Sequence, residues 1–167
     1  MANLRSKLLL LGVLAISCSA CSSKGHWKHT HLNTGTEFSS SKIAYVFPDP
    51  NNSIKLDTIR SQKSYNGYLS VNSHPIVPSS TDPKKAKVSL QIQNDTFSFL
   101  ATRHEGGHRL LLPEEALGKI LLALSQNIEV ILETSGYKTT LKSEGFSSTY
   151  KKFQNPSRLP KLIQLPL

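Results

Sequence analysis

One short segment of the chain has the residue types and spacing of a metal-dependent hydrolase. Residues 104–108 read His-Glu-Gly-Gly-His, an H-E-x-x-H pattern. On a helix this spacing puts His104 and His108 one turn apart, where both bind zinc and Glu105 activates the metal-bound water. A later carboxylate often completes such a ligand set, and Glu129 lies 21 residues past His108. These residues define one functional alternative, a zinc-dependent hydrolase with Glu105 as its catalytic residue.

The surrounding sequence favours a turn at this segment instead of a helix. Two adjacent glycines inside a helix cost about 2 kcal/mol relative to alanine. The preceding residues alternate between apolar and polar types as a strand does, and Gly106-Gly107 suits a two-residue hairpin loop. Such a loop places His104 opposite Arg109. We therefore predict a turn between two strands, with no metal site and no cofactor, in a protein that is not an enzyme.

The first residues of the chain have the order of an export signal. Arg5 and Lys7 precede an apolar run over residues 8–16, and small residues follow it. This run is shorter than the ~20 apolar residues that a membrane-spanning helix needs. We therefore expect residues 1–20 to be a signal peptide, and the domain that follows to lie outside the cytoplasm.

Both cysteines of the chain, Cys18 and Cys21, stand at the end of this leader. A signal peptide that ends at a cysteine resembles a bacterial lipoprotein precursor, in which that cysteine is acylated and becomes the new N-terminus. Residues 14–17 form a lipobox-like sequence before Cys18, whereas Ser19-Ala20 supply the small pair before Cys21. Both cysteines are therefore lipidation candidates. The resemblance implies a palmitate-bearing protein of the cell envelope, in the outer membrane rather than the inner one because serine follows each cysteine.

The charge balance indicates an anionic partner for the part of the chain that follows the leader. The chain has 20 Lys and Arg against 11 Asp and Glu, and without Arg5 and Lys7 the balance is 18 against 11, or +7. Such an excess favours anionic lipid surfaces or acidic polymers. Since the cations are scattered and not interleaved with aromatic residues, nucleic acid is not predicted. The expected partners are the membrane, through the N-terminal lipid, and an envelope protein or an anionic polymer.

Composition divides the rest of the chain into three parts. Residues 21–41 are rich in Ser, Thr, Gly and His, which predicts a flexible tether. Three histidines in this part are able to bind a transition metal, but a solvated tether is the favoured interpretation. Residues 42–154 are expected to form one domain, and residues 155–167, with three prolines among leucines, an extended tail.

Alternating apolar and polar residues predict a mainly antiparallel sheet in the domain. The first expected strands are 42–47, 54–59 and 68–71, and residues 72–85 read as a surface loop. Two hairpins follow. The first has Asn94-Asp95 as its loop and pairs Leu90 with Phe99; the second has Ser135-Gly136 as its loop and pairs Glu133 with Lys138.

Helical periodicity predicts two helices on this sheet. Pro113, placed at the first helical position and followed by two glutamates, begins a helix over about 113–126. Its apolar stripe, which the sheet would cover, consists of Leu117, Ile120, Leu121 and Leu124. Phe146, Tyr150 and Phe153 repeat this spacing in a short C-terminal helix. The predicted fold class is α+β, with about five to seven strands.

The order of these last elements carries a second resemblance. Leu-Pro, helix, strand, turn, strand, Gly145-Phe146 and a short helix resemble the C-terminal half of the invasion-associated locus B family, over residues 108–153. The resemblance implies an exported β-rich domain without known catalysis, although the paired cysteines typical of that family are missing here. The predicted function is thus a non-catalytic, lipid-anchored envelope lipoprotein that binds a partner or supports the envelope.

Overall fold

The computed structural model describes residues 25–32, 40–47, 54–61 and 64–155. The leader and residues 156–167 of the predicted tail lie outside these ranges. Within them the chain forms one mainly antiparallel sheet and two helices, which confirms the α+β class; the sheet has nine strands and not five to seven. The elements are β1 (His26–Leu32), β2 (Ser40–Val46), β3 (Lys55–Ser61), β4 (Ser64–Ser70), β5 (Lys85–Ile92), β6 (Asp95–Arg103), β7 (Arg109–Leu111), α1 (Glu114–Ser125), β8 (Val130–Thr134), β9 (Tyr137–Leu141) and α2 (Phe146–Gln154).

The first strand corrects the prediction of a tether. Residues 26–32 do not form a flexible link; they pair along their whole length with β2, in the order His26 to Val46 through Leu32 to Ser40. The side chain of Trp27 is buried, whereas those of Lys28 and Thr30 are exposed. This strand was missed because only one strongly apolar residue of the described segment points inward, so its alternation is weak.

The sheet curves around the core and brings its two edges together. The strand order is β1-β2-β3-β4-β7-β6-β5-β8-β9, so β1 and β9 lie at opposite edges. A flat sheet would separate these edges by eight strand spacings, or about 38 Å. Instead, Trp27 Nε1 on β1 donates a 2.7 Å hydrogen bond to the carbonyl of Lys142, the residue after β9. The sheet therefore has a concave inner face that encloses the core and a convex outer face.

Both helices lie on the inner face. Helix α1 packs on β4, β5 and β8, and α2 packs on β1 and β2. Leu117, Ile120 and Leu124 are buried as the apolar stripe predicted, and Pro113 is the extended N-cap (φ −59°, ψ 149°) and not the first helical residue. In α2, Phe146 and Phe153 are fully buried, with their rings on either side of Tyr150.

The two predicted hairpins differ in outcome. Ser135 and Gly136 form the second loop with φ of 48° and 82°, and Glu133 lies opposite Lys138 as predicted. In the first hairpin the loop is Gln93-Asn94, so Leu90 pairs with Phe97 and not with Phe99. A shift by two residues keeps every side chain on its face, so apolar alternation does not distinguish the two registers.

Candidate functional site

The His-Glu-Gly-Gly-His segment forms a turn between β6 and β7 and is not helical. The His104 amide donates to the Arg109 carbonyl at 2.9 Å, and the Gly107 amide donates to the His104 carbonyl at 3.0 Å. Gly106 and Gly107 have φ of 78° and 73°, in the left-handed region that glycine adopts most easily. His104 thus lies opposite Arg109, and this prediction is confirmed.

This turn does not bring the predicted zinc ligands together. His104, Glu105 and His108 are exposed, and Glu129 is exposed in the segment before β8. A zinc site of this pattern needs the two imidazoles on one face of a helix. Among the residues that the structure describes, no three His, Cys, Asp or Glu side chains form a group able to hold a metal ion. The geometry therefore gives the hydrolase alternative no support.

The turn instead anchors the long loop that follows β4. The carbonyl of Gly107 accepts a 2.8 Å hydrogen bond from the Ile76 amide, and the His108 carbonyl accepts one of 3.0 Å from the Val71 amide. Arg103 Nε donates to the Ile76 carbonyl at 2.9 Å. Gly107 is buried against the Arg103 guanidinium, so the glycine has a packing role as well as a turn role.

A histidine–serine pair that the sequence analysis did not single out joins β1 to β2. His29 Nε2 and Ser41 Oγ share a hydrogen bond of 2.7 Å. Ser41 is 2% exposed, and the strand registers place it between His31 on β1 and Arg60 on β3. No sequence signal marks this pair, because its members meet only through the register of β1 on β2.

The surroundings of this pair favour a structural role over nucleophilic catalysis. A catalytic serine needs an imidazole base and access to substrate, and Ser41 is buried. Burial, followed by His31, Lys152 and Arg60, lowers the pKa of His29 below its ordinary value of 6.5. All three neighbours are cationic or become so on protonation, so they hold the imidazole neutral. The pair therefore stabilises the first strand against the rest of the sheet.

The lowered pKa of His29 makes the domain sensitive to acid. The folded state favours the neutral ring, whereas the unfolded chain binds a proton near pH 6.5. Protonation thus favours unfolding, and we expect the urea midpoint to be constant above pH 6.5 and to fall as the pH decreases below it. This fall of the urea midpoint should be smaller in His29→Gln than in the wild type. His26→Gln, at an exposed position of the same strand, should show the same fall as the wild type. An NMR titration of His29 with a pKa above 6.5 would contradict this expectation.

Cations are concentrated on the outer face of the sheet. Alternate residues of each strand point away from the core, and the registers assign them to this one face. The charged residues on it are seven cations and two acids: Lys28, Lys42, Lys55, Lys85, Lys87, Arg109 and Lys138, against Asp57 and Glu133.

The remaining described residues are electrically balanced. They contain seven Lys or Arg and seven Asp or Glu. The described residues together have 14 cations and nine acids, a net charge of +5, and all of this net charge lies on the outer face. The sequence predicts a positive net charge, and the strand registers place that charge of the described residues on the outer face of the sheet.

On β1 to β3, a single carboxylate organises the lysines of the outer face. Asp57 Oδ2 lies 3.1 Å from Lys42 Nζ and 3.6 Å from Lys55 Nζ. Asp57 is 7% exposed, while the side chains of Lys42 and Lys55 are 35% and 51% exposed. Lys28 lies in the same row of the sheet, opposite Ala44, which is itself opposite Asp57. The buried acid reduces repulsion between two lysines that remain open to solvent.

The lipidation candidates Cys18 and Cys21 lie outside the described residues. Strand β1 begins at His26, five residues after Cys21. Five residues of extended chain span at most about 18 Å. Neither helix of the described part is long and apolar enough to cross a bilayer.

No family model, curated protein or solved structure matches the chain. The resemblances to lipoprotein precursors and to the invasion-associated locus B family therefore remain expectations.

Proposed function

We propose that the protein is a non-catalytic lipoprotein of the bacterial cell envelope, held to a membrane by acyl chains on Cys18 or Cys21. Its domain lies outside the cytoplasm, at the outer membrane in preference to the inner one, and binds an envelope partner or supports the envelope. The charged, apolar and small segments of the leader support the export step. The side chains of His104, Glu105 and His108 are exposed on a turn that does not assemble them into a metal site, and this fits a role without catalysis.

The observation that carries this proposal is the start of the sheet at His26, so close to the two cysteines. A thiol five or eight residues before the first strand is well placed to attach a folded domain directly to a lipid. Each buried CH₂ of an acyl chain contributes about 0.8 kcal/mol, so several chains on one cysteine give a stable anchor. The basic outer face adds a second attraction to an anionic membrane.

Mass spectrometry of the native protein tests the anchor. We expect a mature chain that begins at an acylated cysteine, and incorporation of labelled palmitate in cells that express it. Cys18→Ala and Cys21→Ala, made separately, provide matched controls, because only the variant that lacks the acylated thiol should lose the label. A wild-type chain without acyl groups, or one that still has residues 1–20, would refute the proposal.

A further inference from the structure

We propose that the domain lies against the membrane with the outer face of β1 to β3, and that Lys28, Lys42 and Lys55 there bind the headgroups of anionic phospholipids. These three lysines are termed the basic patch. The inference rests on the lipid anchor proposed above and adds an orientation and a ligand class to it.

The link between the lipidation candidates and β1 is short. The chain spans at most about 18 Å from Cys21 to His26, or about 29 Å from Cys18. Strand β1 lies at the edge of the sheet, and β2 and β3 follow at spacings of about 4.8 Å. The link therefore keeps β1 and the strands on either side of it nearest to the bilayer: β2 and β3 on one side and, because the sheet edges meet, β9 on the other.

The outer face of β1 to β3 is positively charged. The described outward residues of β1 to β3 include three lysines and a single acid, and that acid, Asp57, is 7% exposed. Lys42 and Lys55 both contact its carboxylate, so their ammonium groups lie close together without full mutual repulsion. Phosphodiester headgroups at a bilayer surface present closely spaced negative charges that match such a cluster. The attraction acts within a Debye length of about 8–10 Å, a distance that the short link makes accessible.

The curvature of the sheet limits which strands a flat membrane contacts. Because its edges meet at Trp27 and Lys142, different strands of the outer face point in different directions. A flat bilayer contacts only one section of such a surface at a time. Strand β5 has the outward residues Lys85 and Lys87. It lies four strands from β2 through the joined edges and five strands from it in the other direction, so contact through β1 to β3 leaves these two lysines turned away. A soluble anionic polymer would meet no such restriction and would reach both sections.

Amine labelling of the reconstituted protein tests this orientation. The acylated mature protein is placed in vesicles of phosphatidylglycerol and phosphatidylcholine in equal parts, and in vesicles of phosphatidylcholine alone. The labelling of each lysine is measured by peptide mass spectrometry. We expect Lys28, Lys42 and Lys55 to react about fivefold more slowly on the anionic vesicles, the factor expected for one lysine near an anionic surface. Lys85 and Lys87 should react equally on both. The protection should disappear at ~0.5 M salt.

Charge-neutral variants give a matched comparison. Lys28→Gln with Lys55→Gln should remove the protection of Lys42, whereas Lys85→Gln with Lys87→Gln, which changes the net charge equally, should preserve it. If the protein stays bound to the vesicles but all its lysines react at the same rate on both kinds of vesicle, the proposed orientation is refuted and the lipid anchor is not. Protection that appears only after polyphosphate is added would show a polymer ligand and also overturn it. A chain without acyl groups that is not recovered with vesicles would instead show that the anchor itself has failed.

Discussion

Replacing Trp27 with alanine is expected to lower the free energy of unfolding by about 3–5 kcal/mol, the usual cost of removing a large buried aromatic side chain. The Trp27 ring lies 4.9 Å from both the Tyr45 and the Phe146 ring centroids. Its Nε1 also donates the hydrogen bond to Lys142 that joins the two sheet edges. The residue therefore connects β1, β2, α2 and the segment after β9. Urea denaturation followed by far-ultraviolet circular dichroism measures the loss, since the variant has no tryptophan to report by fluorescence.

Two further variants separate the contributions of Trp27. Trp27→Phe keeps an aromatic ring but removes the hydrogen bond, which contributes about 1 kcal/mol, so its stability should lie between those of the wild type and Trp27→Ala. Lys28→Ala, at the next position on the exposed face, should change stability by no more than about 0.5 kcal/mol. If residues 26–32 were a solvated tether, all three variants would change the free energy of unfolding by no more than about 0.5 kcal/mol. That result would disprove strand β1.

Gly107→Ala is the second substitution with a large expected effect, about 3 kcal/mol of lost stability. A left-handed conformation costs a residue with a Cβ about 1–2 kcal/mol. The new Cβ would also overlap with Arg103 Nη2, so the guanidinium must move, and this movement weakens its hydrogen bond to the Ile76 carbonyl. A hydrogen bond from a charged donor contributes about 1.5–3 kcal/mol. Chemical denaturation measures the loss, and amide exchange at Ile76 should accelerate with it.

Gly106→Ala is the matched control for this effect. Gly106 has φ of 78°, close to that of its neighbour, but no atom lies within 4 Å of the Cβ that alanine would add. Only the cost of the left-handed backbone conformation remains, so the expected loss of stability is about 1–2 kcal/mol. Equal losses in the two variants would show that Arg103 does not depend on Gly107. A stabilising effect of Gly107→Ala would contradict the turn itself and reopen a helical interpretation of residues 104–108.

The sequence by itself was sufficient for features that depend on neighbouring residues. Adjacent glycines predicted the turn at residues 104–108, because their conformational freedom disfavours a helix and suits a hairpin. Ser135-Gly136 likewise predicted the second hairpin with its register. Apolar spacing predicted both helices, the first of them to within one residue at each end. Composition also determined the positive net charge of the chain.

Features that depend on distant residues required the tertiary structure. Strand β1 has only weak apolar alternation of its own. It is stabilised by pairing with β2 and by the contacts of Trp27 with Phe146 and with Lys142, which is 115 residues away in the chain. The His29–Ser41 pair and the location of the net charge on the outer face both follow from strand registers. The shift in the first hairpin has the same origin, since its two registers bury the same alternate residues. Local sequence determines the conformations available to each segment, whereas pairing between segments decides which face, edge and neighbour each side chain receives.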